Sequence, residues 1–217
     1  MVSGQDAGGG VTAPFDVDRL SGPALAAGRA LLGAVLQVDS PQGTVAVSLS
    51  EVEAYAGPAD PASHAFRGRT LRNAVMFGPA GFLYVYFVYG MHWCCNVVCG
   101  PAGDASAVLL RAGRVTTGAE LARSRRPAAR TETELARGPA RLAGALGITG
   151  SATGTDLLDP ASPIRLLAGS PVPDTAVRTG PRVGVAVAAE VPWRLWIDGD
   201  PTVSPYRSGT RRRRPLS

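Results

Sequence analysis

The stretch that decides the fold runs from E-V-E-A-Y at 51–55, through a polar loop containing His64, to F-L-Y-V-Y-F-V-Y-G-M-H-W-C-C-N at 82–96. Just upstream, residues 44–50 read T-V-A-V-S-L-S, so the odd positions Val45, Val47 and Leu49 lead into Glu51, Glu53 and Tyr55. Successive side chains of a strand point to opposite faces, which puts these residues on one face. That face passes from apolar to acidic, and the strand is expected to leave the core and enter a cleft. The runs 82–89 and 91–99 flank Gly90 closely enough for a β-hairpin. Tyr84 and Tyr86 share a face and line a wall, whereas Tyr89 has the opposite parity and sits at an exposed tip. His92, Cys94 and Asn96 share a face of the returning arm.

Outward from this stretch, 34–38 is a strand that Pro41, Gln42 and Gly43 turn back into 44–55. A helix is expected before it, capped by Ser21, with Pro23 in its first turn and running to Gly33. Residues 56–81 hold many turn formers, with Phe66, Met76 and Phe77 as apolar anchors, and read as an ordered functional loop. Beyond the hairpin come a strand at 107–112, a helix from Thr117, and a short helix opened by Gly138 and Pro139 and ended by Gly147. Further strands are expected at 164–167, 182–187 and 193–197. The fold class is therefore α+β: a single compact domain at 15–205 with a curved, mainly antiparallel β-sheet, flanking helices and a protruding β-hairpin. A disordered tail at 1–14 and a basic tail at 206–217 complete the chain.

A chain of 217 residues, 45% hydrophobic and 18% charged, has an ordinary globular balance. The net charge is +5, but Arg211, Arg212, Arg213 and Arg214 supply four of those units, leaving a nearly neutral body. Such a run either holds a polyanion or is simply solvated. The chain contains no lysine, so the 22 basic residues are all arginine and Schiff-base chemistry on a side-chain amine is excluded. Cys94, Cys95 and Cys99 are odd in number and clustered, as in a reduced interior. With His92 they resemble a metal set, but strand parity splits them between faces, so no metal is expected. No cofactor is implied either. Without a signal-like opening or a bilayer-length apolar run, the protein is expected to be cytoplasmic, with no membrane contact.

Glu51 and Glu53 lie on one strand face with Cα atoms roughly 6.5 Å apart at about 3.3 Å rise per residue. Such a pair suits hydrolysis of a bond whose transition state is cationic and sugar-like, one carboxylate polarising water while the other tunes it. The plainer reading is two exposed or salt-bridged acids facing Arg67, Arg69 or Arg72. His64 is an acid, a base or a pocket wall, and His92, beside Trp93 on a buried strand, is structural. Tyr55, Tyr84, Tyr86 and Tyr89 supply aromatic faces in a chain that is only 6% aromatic, and such faces hold a planar ring or simply fill a core.

Taken together the motifs become specific. E-V-E-A-Y-x-G-P-x-D-x-A-S-H, G-R-T-x-R-N-x-V-M-F-G-P-x-G, Y-V-Y-x-x-Y-G-M-H-W-C-x-N-V-V and A-V-L-L-R-A follow in order, then G-P-A-R-L-A-G-A-L-G-I at 138–148 and P-R-V-G-V at 181–185. This series resembles the alkyladenine (3-methyladenine) DNA glycosylase family over residues 15–205. The resemblance implies that Glu53 is the general base that deprotonates the attacking water. It implies that Tyr55, His64 and Tyr86 sandwich a flipped base, that Asn96 disfavours the exocyclic amino group of guanine, and that Arg111 supports the nucleotide's phosphate and the water. Tyr89, with Met91 beside it, matches the side chain wedged into the duplex. Glu51 keeps a supporting place. The chain departs from the family in A-G-R after Arg111, where A-L-E-P is common, and at Phe66.

The implied partner is double-stranded DNA containing damaged purines, bound by a nucleoid-associated monomer of a bacterial-type cell. Phosphate contacts would come from Arg111, the arginines of 114–130 and the tail. The implied reaction is base-excision repair by a monofunctional glycosylase, which hydrolyses the N-glycosidic bond and leaves an abasic site. The alternatives are a non-catalytic damaged-DNA binding protein and a glycosidase acting on free nucleosides.

Overall fold

The computed structural model describes residues 13–209. The expected tails fall largely outside them, including Arg211–Arg214 and everything before Ala13. Ala13 and Pro14 are already joined to the sheet, the carbonyl of Ala13 accepting from the Ala168 amide at 2.9 Å and Pro14 bridging to Leu167.

The strands are β1 (Val35–Ser40), β2 (Gly43–Tyr55), β3 (Leu83–Val88), β4 (His92–Cys99), β5 (Ser106–Thr117), β6 (Ile164–Leu167), β7 (Val177–Gly180) and β8 (Arg194–Ile197). The helices are α1 (Ala24–Leu31), α2 (Ala119–Arg125) and α3 (Pro139–Leu146). All pairings are antiparallel in one open sheet of order β3-β4-β5-β2-β1-β6, with β8 also on β2 and β7 on β8. The fold is α+β, as the sequence implies. The 13-residue β2 is the spine: β5 follows it on one side, while β1 pairs with its first half and β8 with its second.

One irregularity on β2 sets the site. The register passes from Leu49↔Gly113 to Glu51↔Ala112 and then to Val52↔Leu110, so Ser50 and Arg111 have no opposite residue. An extra residue of this kind is a β-bulge, and it interrupts the alternation of faces. Val45, Val47 and Leu49 lie in the main core before it, and Val52 and Ala54 lie there after it. The expectation of a single odd-numbered face is therefore corrected. The bulge turns Glu51, Glu53 and Tyr55 to the side opposite the core.

That core fills one face of the sheet, where Ala27 and Leu31 of α1 and Leu142 and Leu146 of α3 meet Val108, Leu110 and Leu195. Each fully buried leucine contributes about 1.5–3 kcal/mol. Gly28 brings α1 close, since a Cβ there would lie 3.3 Å from Leu195 and 3.6 Å from Val52. The other face carries a smaller cluster of Ala65, Met76, Tyr84, Val98, Ala105 and Ala107 beneath the 56–81 segment.

Several local expectations change. Ser21 does not cap α1. It ends a 3₁₀ turn at Val17–Leu20, donating from its hydroxyl to the Val17 carbonyl at 3.1 Å, and Pro23 takes the cap position of α1. β5 continues to Thr117 instead of stopping at Ala112. Residues 182–187 form no strand, because Arg182 is buried in an ion pair and the Val183 amide is spent on Glu53. Phe66 is 46% exposed, while Met76, at 3%, and the partly buried Phe77 hold the loop. The hairpin forms around Val88↔His92 with Tyr89, Gly90 and Met91 at its tip. Tyr89 has φ 53°, a left-handed conformation that costs a non-glycine residue about 1–3 kcal/mol. Among the described residues no helix is long and apolar enough to cross a membrane.

Candidate active site

β3 and β4 pair so that Tyr84 faces Asn96 and Tyr86 faces Cys94. Cross-strand partners share a face, and the rings of Tyr84 and Tyr86 stack at 5.7 Å with 25° between planes. The 56–81 segment closes the opposite wall. It leaves β2 through Gly57, whose φ of +56° and whose missing Cβ, which would sit 2.1 Å from the Asp104 carbonyl oxygen, admit only glycine. It brings His64 to 3.1 Å from the Tyr84 hydroxyl through Nδ1, with its ring edge-on to Tyr86 at 4.5 Å. Tyr55, His64, Met76, Tyr84, Tyr86 and Asn96 surround a cavity of 340 Å³ including its mouth. Asn96, 5% exposed, donates from its amide to the Tyr84 carbonyl at 3.3 Å.

Beside this cavity lies a buried ionic network. Glu53 is fully buried; its Oε1 accepts from the Val183 amide at 2.6 Å and lies 3.3 Å from Arg111 Nη1, and its Oε2 accepts from the Tyr55 hydroxyl at 2.9 Å. Glu51, also fully buried, accepts from Arg111 Nε at 2.8 Å, Arg194 Nε at 2.7 Å, and the amide and hydroxyl of Ser204 at 2.6 and 2.9 Å. Arg182, with no exposed surface, donates to Asp60 Oδ1 at 2.9 Å and to the Ala54 carbonyl at 3.1 Å, its guanidinium 4.6 Å from the Tyr55 ring centre. Each buried carboxylate thus has a buried guanidinium, which is what keeps such charges affordable away from water.

Burial, and then the Glu53 charge, push the Tyr55 phenol well above its usual pKa, so it remains a proton donor to that carboxylate. Burial also raises Tyr86 and Cys94, and it pushes Cys99 up to about 12. For Arg111 burial acts downward, but Glu53 and Glu51 outweigh it and hold the guanidinium charged. Burial, and then Arg72, lower His64, which favours its neutral form. A fixed carboxylate beside an aromatic slot can accept a proton from water at one edge of a planar ligand.

The structure brings Tyr55, His64, Tyr86 and Asn96 to one cavity and sets Glu53 and Arg111 in the ionic network beside it. Tyr89 and Met91 stand apart at the hairpin tip, 84% and 67% exposed. Arg111, 5% exposed, donates to Glu51 and Ser204 and lies 3.3 Å from Glu53. Glu51 is salt-bridged, but to Arg111 and Arg194 and not to the loop arginines. His92, expected on a buried strand, is exposed beside the turn. Among the arginines of 114–130, Arg125 caps the end of α3 through the Ala145 and Leu146 carbonyls, and Arg114 and Arg123 lie near Asp200 and Glu132. Sequence reasoning missed Asp60, Arg182, Arg194 and Ser204. The first two lie inside quoted motifs, and their reach across the chain was the missing signal. Among the described residues no group of three or more His, Cys, Asp or Glu gathers as a metal site.

The bulged spine of an open antiparallel sheet thus holds a fully buried carboxylate, Glu53, against Tyr55 in the wall of an aromatic slot. The family model described as methylpurine-DNA glycosylase (MPG) matches residues 18–201. The chain belongs to that family. A protein of Streptomyces avermitilis provisionally named 3-methyladenine DNA glycosylase is 57% identical over 203 residues, covering 93% of this chain and 95% of the relative. Like-named proteins of Nocardia farcinica (56% over 190 residues, 85% and 88% of the two chains) and Mycobacterium tuberculosis (49% over 203 residues, 91% and 96%) are similar throughout.

Proposed function

We propose that the protein is a monofunctional glycosylase that takes alkylated or deaminated purines out of duplex DNA and hydrolyses the N-glycosidic bond. The observation that carries this reading is Glu53: a fully buried carboxylate anchored by the Val183 amide and the Tyr55 hydroxyl beside an aromatic slot. Tyr89 enters the stack as the nucleotide leaves it, and Met91 lies alongside. Opening the stack costs a few kcal/mol, and less for a weakly paired lesion. The purine sits against Tyr55, His64 and Tyr86, with Asn96 rejecting an exocyclic amine. At 4.5 Å from Tyr86, His64 has to swing aside, because a ring stacked on both faces needs about 3.5 Å on each side.

Glu53 takes a proton from water as the water's oxygen bonds to the sugar's anomeric carbon and the purine leaves with the bonding pair. Arg111 and the Tyr55 hydroxyl orient the carboxylate. With no lysine in the chain, no lysine-dependent strand cleavage follows. The test is Glu53→Gln on DNA methylated with dimethyl sulfate. Release of 3-methyladenine is expected to fall by at least about 100-fold, the scale of general-base catalysis, with duplex binding retained; near-normal release would sink the reading. Release by the unaltered protein separates it from a non-catalytic binder.

A further inference from the structure

No residue of the loop at 67–72 lines the pocket or joins the ionic network. Its apex, Leu71, is 102% exposed, yet the loop is tightly pinned. Asn73, 2% exposed, donates from its side-chain amide to the His64 and Gly68 carbonyls at 3.0 Å each, and its Oδ1 accepts from the Thr70 amide at 2.6 Å. Arg72 donates to the Phe87 carbonyl at 3.3 Å and lies 5.9 Å from the Tyr86 ring centre. The loop is therefore tied to both the pocket rim and an arm of the hairpin.

A single exposed leucine is ordinary on a protein surface. This one is held on a rigid support, beside a hairpin that exposes Phe87, Tyr89 and Met91, and among the exposed Arg67, Arg69 and Arg72. Among the described residues none of these arginines is paired with a carboxylate. Apolar side chains interleaved with unpaired guanidinium groups fit a DNA groove, the cations taking phosphates while the apolar group presses on a base step.

We propose that Leu71 is a second apolar wedge, packing against duplex DNA beside Tyr89 and supporting the distorted step while the nucleotide is out. This rests on the glycosylase reading and adds a contact that only a duplex can supply, because a single strand has no paired step to hold open. The experiment compares single-turnover release of 3-methyladenine, at subsaturating enzyme, from a methylated duplex and from the same methylated strand alone. Leu71→Ala is expected to slow release from the duplex about tenfold, the loss of one buried leucine, and to leave the single strand unchanged, with Leu71→Met restoring the duplex rate. An unchanged duplex rate, or an equal loss on both substrates, overturns the proposal. No release by the unaltered protein from either substrate overturns the glycosylase reading and this proposal with it.

Discussion

Glu51 and Glu53 share a strand and are equally buried, yet their oxygens are filled differently. Glu51 is saturated by two arginines and Ser204, whereas Glu53 is held from Val183, Tyr55 and one guanidinium. The first is a fixed counter-ion that sets Arg111, and the second keeps lone pairs for other partners. Glu51→Ala leaves Arg111 and Arg194 buried without their main partner and should cost about 3–5 kcal/mol, read from the denaturation midpoint. His64 is expected to show the opposite kind of dependence, on pH. Its pKa is lowered in the folded chain, so below about 6.5, its unperturbed value, the unfolded chain binds the proton first. Stability should therefore fall as pH drops from that value through the depressed folded pKa, and then level off. His64→Asn should reduce the change in Tm across that window.

At the scale of elements the decisive device is the paired bulge at Ser50 and Arg111. Gly113 sits beside it, and a Cβ there would lie 2.3 Å from the Ser48 carbonyl oxygen and 2.5 Å from Val47 Cγ1. Gly113→Ala should thus part β2 from β5, at a cost of about 1–3 kcal/mol, and slow base release more than its loss of stability accounts for. Measuring both quantities on one preparation checks this. The bulge was not legible in the sequence, because Val52 and Ala54 suit a core as well as Val45 and Val47 do, so either parity reads as strand. The hairpin was legible, since Tyr84 and Tyr86 share one parity and Gly90 marks the tip. Residues 182–187 misled for a related reason: Val183, Val185 and Val187 alternate like a strand, while what holds the segment is Arg182 reaching Asp60.

At the scale of the molecule the sheet divides the work, α1 and α3 covering one face and the 56–81 segment building the pocket on the other. The pocket residues could be read because they lie in compact motifs. Arg194 and Ser204 could not, since each meets Glu51 across more than 140 positions, a separation that leaves no local pattern. That span has a consequence in time. Strands β1 to β5 can pair while the chain is still being made, but Glu51 has its full set of partners only after residue 204 emerges. A growing chain would then carry an incomplete centre through most of its synthesis, and a chain cut before residue 194 would hold two buried carboxylates with Arg111 as their one guanidinium partner.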